Sequence, residues 1–151
     1  MNTTARYIKP DTFTRKVFNP LIAVLTRMGI SMWGSRVLAV KGRSTGEVRT
    51  TPVNVLTFDG ERYLVAPRGI TQWVRNIRVA GQGDLAVGSR VETVVVDEVP
   101  DHAKPEILRA YLRRWKWEVG QFFDGVGPDA SDEELLAIAA GYPVFRITTA
   151  V

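Results

Sequence analysis

The sequence predicts an α+β fold, a small antiparallel β-barrel flanked by helices, and three observations carry that prediction. Between Arg36 and Val99, short β-prone runs alternate with glycine-containing turns, the pattern of strands joined as hairpins. After Pro105 the apolar spacing lengthens to that of helices. A last β-prone run, "PVFRI", follows those helices and brings the strand count to five or six.

The elements follow in order. Asp11 to Met28 places Phe13, Val17, Phe18, Leu21, Ile22, Leu25 and Met28 at helical spacings, interrupted by Pro20. "Asn19-Pro20" suits an N-cap followed by proline at the first helical position, so a short helix, a break and a second helix are expected there. With Arg15, Lys16 and Arg27 on it, this amphipathic segment suits either the cover of a barrel end or an anionic membrane surface. "RVLAVKG" and "TTPVNVLTF" read as strands around the turn "GRSTGEVR", and Asp59-Gly60 turns the chain into "RYLVAP". Pro52 implies an edge, a strand start or a bulge, because proline donates no hydrogen bond to a ladder. "TQWVRNIRVA" reads as a helix capped by Thr71, and "DLAVG" with "VETVVVDEV" as a hairpin across "SR". "KPEILRAYLRRWKW" carries Leu108, Tyr111, Leu112 and Trp115 on one stripe, and "FFDGVGPDA" is a loop. "SDEELLAIAAG" opens on a capping box, Ser131 with Glu134, and closes at Gly141. The expected organisation is one domain overall, an N-terminal helical segment over residues 1–30 and a barrel over 31–151.

Composition narrows the function. Apolar residues at 45% and charged residues at 24% are ordinary for a soluble globular protein. The chain has no cysteine, which removes disulfides, thiolate metal sites and cysteine nucleophiles. No run reaches the length of a membrane span and the first ten residues hold no apolar signal core, so a cytoplasmic setting is expected, with membrane association only at the surface. The net charge of +4 is uneven: residues 1–49 carry +7, residues 50–90 carry +2 and residues 91–151 carry −5. A basic front half suits an anionic partner. Nucleic acid is not expected, since no helix-turn-helix, RNP or zinc-finger pattern occurs. The single histidine, His102, lies in the charged loop "PDHAKP" with no second ligand nearby, so no metal site is expected. No G-x-S-x-G elbow is present, and Asp132/Glu133 sit in a helix first turn, where the dipole favours carboxylates.

Two motifs remain. In "VKGRSTGEVRTTP", Gly42 and Gly46 allow close backbone approach, Ser44, Thr45, Thr50 and Thr51 offer hydroxyls, and Lys41, Arg43 and Arg49 suit phosphate or carboxylate. In "APRGITQWVRN", Pro67 and Gly69 mark a loop after a strand, with Arg68 projecting from it. The following helix offers its first N–H groups, a flat Trp73 and the amide of Asn76. Each motif alone also fits a bland reading, a solvated hairpin tip for the first and core packing of Trp73 for the second.

In order and spacing, "GRSTGEVRTTPVNVL", "GERYLVAPRG" and "QWVRNIR" resemble the nitroreductase-type family of deazaflavin-dependent oxidoreductases, from about "FNPLIAVLTRMGI" to "PVFRI". The resemblance implies a split β-barrel and coenzyme F-420, an 8-hydroxy-5-deazaflavin with a phosphate and an oligoglutamate tail. It implies that Gly42 to Arg49, with Lys41, hold the anionic tail, and that Thr50, Thr51, Pro52 and Asn54 lie along the cofactor. Ala66, Pro67, Arg68 and Gly69 would contact the phosphate or the ring, and Trp73 and Asn76 would complete the cleft. Ser44 stands where the family often has lysine, and "VAGQGDL" replaces its commoner A-N-P turn.

Hydride transfer also accounts for the missing acid–base machinery, since the cofactor carries the chemistry. Tyr111, Trp115 and Phe122, with Trp117 and Phe123, are candidates for an apolar acceptor pocket, though Leu108 and Leu112 share the stripe. The acceptor expected is an apolar unsaturated, quinone-like or nitro compound, its proton coming from solvent, Tyr111 or Tyr7. Three alternatives stay open: an FMN-binding split-barrel oxidoreductase, a non-catalytic cofactor or membrane-surface module docking through residues 11–28, and a homodimer as the assembly.

Overall fold

The computed structural model describes residues 35–87, 90–123 and 125–150. The predicted helical segment at 11–28, Tyr7, the Gly88-Ser89 turn and the side chain of Trp117 lie outside the described residues. Six strands form the sheet: β1 (Ser35–Lys41), β2 (Val48–Phe58), β3 (Glu61–Val65), β4 (Gln82–Val87), β5 (Arg90–Glu98) and β6 (Val144–Thr149). Helix α1 (Gln72–Ala80) follows β3, and α2 (Pro105–Val119) and α3 (Asp132–Ile138) lie between β5 and β6. The strands close into an antiparallel barrel in the order β1-β2-β3-β6-β5-β4.

Local chemistry sets the turns. Asp59 and Gly60 have φ of 52° and 78°, the pair of left-handed residues that a two-residue hairpin needs. Ser131 caps α3 as the sequence predicts: its hydroxyl accepts from Glu134 N–H at 3.1 Å and Glu134 Oε1 accepts from Ser131 N–H at 3.0 Å. Thr71 occupies the N-cap of α1, but its side chain accepts no capping hydrogen bond. Pro52 lies in the half of β2 that pairs only with β1, because the β2–β3 ladder spans Val55 to Phe58. On its other side that half of β2 has no strand neighbour among the described residues, the edge-like setting in which proline is tolerated.

Alternation divides the apolar residues into two cores. Leu38, Val40, Val53, Leu64, Leu85, Val94, Phe145 and Ile147 point inward, and Val74 and Ile77 of α1 close one end over them. Leu56, Val65 and Val144 point outward, beneath Leu108, Tyr111, Leu112 and Trp115 of α2 and Leu135 of α3. Each buried leucine-sized side chain contributes about 1.5–3 kcal/mol, so these cores hold the fold. Partly exposed ion pairs are worth about 1 kcal/mol or less. The helix predicted at "KPEILRAYLRRWKW" runs to Val119 with a kink at Trp115, whose φ and ψ are −126° and 19°. A 3-10 turn, Gly120–Phe122, follows it, so the loop expected from "FF" onward begins one residue later than predicted.

Candidate functional site

The β1–β2 turn is built by its own backbone. Gly42 N–H donates to Glu47 O at 2.7 Å, Gly46 N–H to Gly42 O at 3.0 Å, and Thr45 Oγ1 accepts from Glu47 N–H at 3.1 Å. A Cβ on Gly42 would lie 2.9 Å from Glu47 O. The space at Gly42 is therefore filled by the turn itself, which corrects the expectation that this glycine opens the backbone to a ligand. Gly46, with φ of 78°, supplies the left-handed step.

This turn docks on α1. Arg43 N–H donates to Asn76 Oδ1 at 3.1 Å, and Arg43 Nη1 donates to Asn76 Oδ1 at 2.8 Å and to Gln72 Oε1 at 3.0 Å. The two sequence motifs thus meet directly, through Arg43 and Asn76, which lie 33 residues apart along the chain. Asn76 is 4% exposed, and its carbonyl oxygen is occupied as the clamp for the turn. Both of Arg43's side-chain partners are neutral, and among the described residues no carboxylate stands against its charge. Arg49 makes a loose contact of 3.4 Å with Glu47, both side chains well exposed. Lys41, Ser44 and Thr45 are exposed on the same turn.

The loop after β3 forms the second wall. Gly69 N–H donates to Ala66 O at 3.2 Å and Thr71 N–H to Gly69 O at 2.9 Å, with Gly69 at φ of 87°. Arg68 is exposed, and its guanidinium lies over the Phe122 ring at 5.7 Å. Thr71 Oγ1 is buried yet has no hydrogen-bond partner among the described residues, and it stands at the start of α1, whose first turn holds no acidic residue. A buried hydroxyl without a partner costs about 1–3 kcal/mol, which an incoming polar group relieves. Arginines, an orphaned hydroxyl and a helix N-terminus together suit an anionic group.

The other predicted residues divide by strand alternation. Thr51, opposite Leu38, belongs to the inner face of β2, and Thr50, Pro52 and Asn54 to the outer face, opposite Ala39, Val37 and Ser35. Trp73 packs its ring 5.9 Å from Phe145 and is half-buried, so it serves the core and keeps some surface. Tyr111 and Trp115, the pocket candidates on α2, are each 1% exposed, with ring centroids 5.1 Å apart. In this arrangement they pack the core that Leu108 and Leu112 share. Phe122 alone of the three is half-buried. His102 is exposed, and among the described residues no group of three or more side chains is placed to hold a metal ion. No described helix is long and apolar enough to cross a membrane.

Sequence reasoning missed Gln72, Lys104 and Tyr142. Gln72 had a usable signal, since it precedes Asn76 by one helical turn. Tyr142 and the contact of Lys104 with Ala139 O had none, because those partners come from distant segments.

The sequence pattern of the F420H2-dependent quinone reductase family matches residues 22–121, about two-thirds of the chain. No curated protein sequence matches it. Among solved structures, an F420H2-dependent reductase, FDR-A, superposes with a TM-score of 0.53 at 14% identity, covering 76% of this chain and 94% of the other. A domain-swapped dimer gives 0.54 at 13% identity, covering 93% and 100%. A putative pyridoxamine 5′-phosphate oxidase from Listeria innocua gives 0.50 at 12% identity, covering 87% and 92%. At these identities the structures share the split-barrel fold.

Proposed function

The chain belongs to the F420H2-dependent quinone reductase family and is an F420H2-dependent reductase, and from that premise we propose that it reduces an apolar, quinone-like acceptor. The observation that carries the reading is the pair Arg43 and Arg68. Each is held by neutral partners, the amides of Gln72 and Asn76 in one case and the Phe122 ring in the other. Charges so placed are left for a ligand to neutralise.

The residues present fit the coenzyme's acidic parts. Lys41, Arg43 and Arg49, with Ser44 and Thr45, would hold the tail. Arg68, the Ala66–Gly69 backbone and the orphaned Thr71 hydroxyl would hold the phosphate. Pro67, half-buried Trp73 and the open half of β2, with Thr50, Thr51, Pro52 and Asn54, would border the ring. Asn76 acts through Arg43, by holding the turn against α1. When bound, the reduced coenzyme supplies a hydride to the acceptor. Conversion of a quinone to a hydroquinone by hydride also needs one proton. We assign that proton to solvent, since Tyr111 is sealed in the core at 1% exposure. Phe122 offers the aromatic surface for the acceptor. The domain-swapped neighbour supports a homodimer as the assembly, and the coenzyme requirement supports a cytoplasmic setting.

FMN, with one phosphate and no glutamate tail, needs fewer cations than the run from Lys41 to Arg49 offers. Titration of coenzyme F-420, FMN and FAD into one preparation tests this. The expected result is a Kd on the order of 1–10 μM for coenzyme F-420 and weaker binding of both flavins. A preparation that binds FMN tightly and ignores coenzyme F-420 overturns the proposal.

A further inference from the structure

We infer that Tyr142 is a positioning residue: it fixes the spacing between the Ala66–Gly69 loop and the turn that carries Phe122, and so sets how the acceptor is held. This rests on the function proposed above.

Three sets of contacts converge on the segment Ala139–Pro143. Ala66 N–H donates to Pro143 O at 2.9 Å, and a Cβ on Gly69 would lie 3.5 Å from Gly141 O, so this segment backs the whole Ala66–Gly69 loop. The Tyr142 hydroxyl donates to the carbonyl of Phe122, and its ring stacks on Phe123 with centroids 4.3 Å apart and planes 12° from parallel. Lys104, 2% exposed, anchors the start of the segment: its Nζ donates to Ala139 O at 2.9 Å and pairs with Asp101 at 2.8 Å. Displacing that ammonium would leave a buried charge unpaired, so the anchor is stiff. At its other end the segment continues into β6 at Val144.

Between these fixed ends, Tyr142 is the side chain that reaches the Phe122 turn. Arg68 closes the loop of contacts from the opposite side, over the Phe122 ring. Two jobs of Tyr142 then separate by atom. The ring fills space against Phe123, which any core needs. The hydroxyl fills no comparable space and ties the backbone of Phe122 to the segment that also carries the Ala66–Gly69 loop.

The test is Tyr142→Phe in the full chain, with reduced coenzyme F-420 as donor and menadione as the acceptor probe. The variant keeps the ring and its stack on Phe123, and it removes the hydroxyl that ties Tyr142 to the Phe122 carbonyl. The expected result is a rise in menadione KM of about 3–10-fold, the loss of one neutral hydrogen bond. Turnover at saturation stays unchanged, the signature of lost uniform binding, and the coenzyme Kd stays within about two-fold of wild type. Phe122→Leu should give a similar KM rise, and the double variant should be no worse than Phe122→Leu alone, because both act on one wall. A lower Tm with unchanged menadione KM overturns the inference, as do fully additive penalties. Arg68→Ala run in parallel separates the two levels: if it leaves the coenzyme Kd unchanged, the cofactor reading fails, whatever Tyr142→Phe shows.

Discussion

Arg62 and Arg43 lie in different parts of the barrel and are held in opposite ways. Arg62 makes a two-pronged contact with Glu92, at 2.9 and 2.7 Å, and its Nη2 also reaches Thr149 Oγ1 at 3.2 Å. Arg78 does the same with Glu98, at 2.9 and 2.6 Å, and Arg109 and Arg146 have Asp132 and Asp97. Arg43 has two neutral amides, and Arg68 has an aromatic ring. A guanidinium against a carboxylate is neutralised inside the protein and serves the fold. One held by amides or a ring is oriented but not neutralised, and its charge faces outward.

The strongest way to break this comparison is Arg43→Ala. It removes a charge and also the clamp between the turn and α1, so coenzyme affinity should fall by about 2–3 kcal/mol. Fluorescence titration at low salt measures it, and an unchanged Kd would make the turn a solvated tip. Arg68→Ala should cost less, about 1–2 kcal/mol, because its ring contact must be given up on binding. That loss should shrink as salt rises, since Arg68 is exposed.

Glu92→Gln sharpens the other side and should leave the coenzyme Kd unchanged. Hydrogen bonding from Arg62, helped by Thr149, lowers the Glu92 carboxyl from 4.5 to about 2. A depressed carboxyl stabilises the fold above its unfolded value of 4.5 and loses that contribution as pH falls toward about 2. The pair is about one-third exposed, at 32% and 33%, so screening limits the loss at pH 7 to about 1 kcal/mol or less. Urea unfolding at several pH values should show the wild-type advantage at neutral pH vanishing by the acid end. An advantage that persisted at pH 2, or a coenzyme Kd that rose as in Arg43→Ala, would erase the distinction between the two kinds of arginine.

Legibility followed the range of the interaction. Asp59-Gly60 and the Ser131/Glu134 box were readable because each is closed by residues within three positions of one another. Pro52 limited its setting to an edge, a strand start or a bulge, because proline lacks a donor wherever it sits, and among the described residues it lies where β2 pairs on one side only. Thr71 misled: it has the extended backbone of an N-cap, with φ of −84°, but its hydroxyl does not cap. Gly42 misled differently, since a glycine that admits a neighbour looks the same whether the neighbour is a ligand or Glu47 O. The stripe of Leu108, Tyr111, Leu112 and Trp115 announced a buried face, and the barrel's outer surface took all of it.

The sequence by itself determined the strands, the Asp59-Gly60 turn, the Ser131 cap of α3 and the basic and hydroxyl residue types that suit an anionic group. Those follow from backbone sterics, side-chain period and charge, which act over a few residues. Only the tertiary structure decided which arginines are neutralised, that Asn76 holds the first motif on the second, and that Tyr142 bridges the Ala66–Gly69 loop to Phe122. Barrel closure and helix packing bring those groups within hydrogen-bonding reach, and nothing in the local chain encodes that reach.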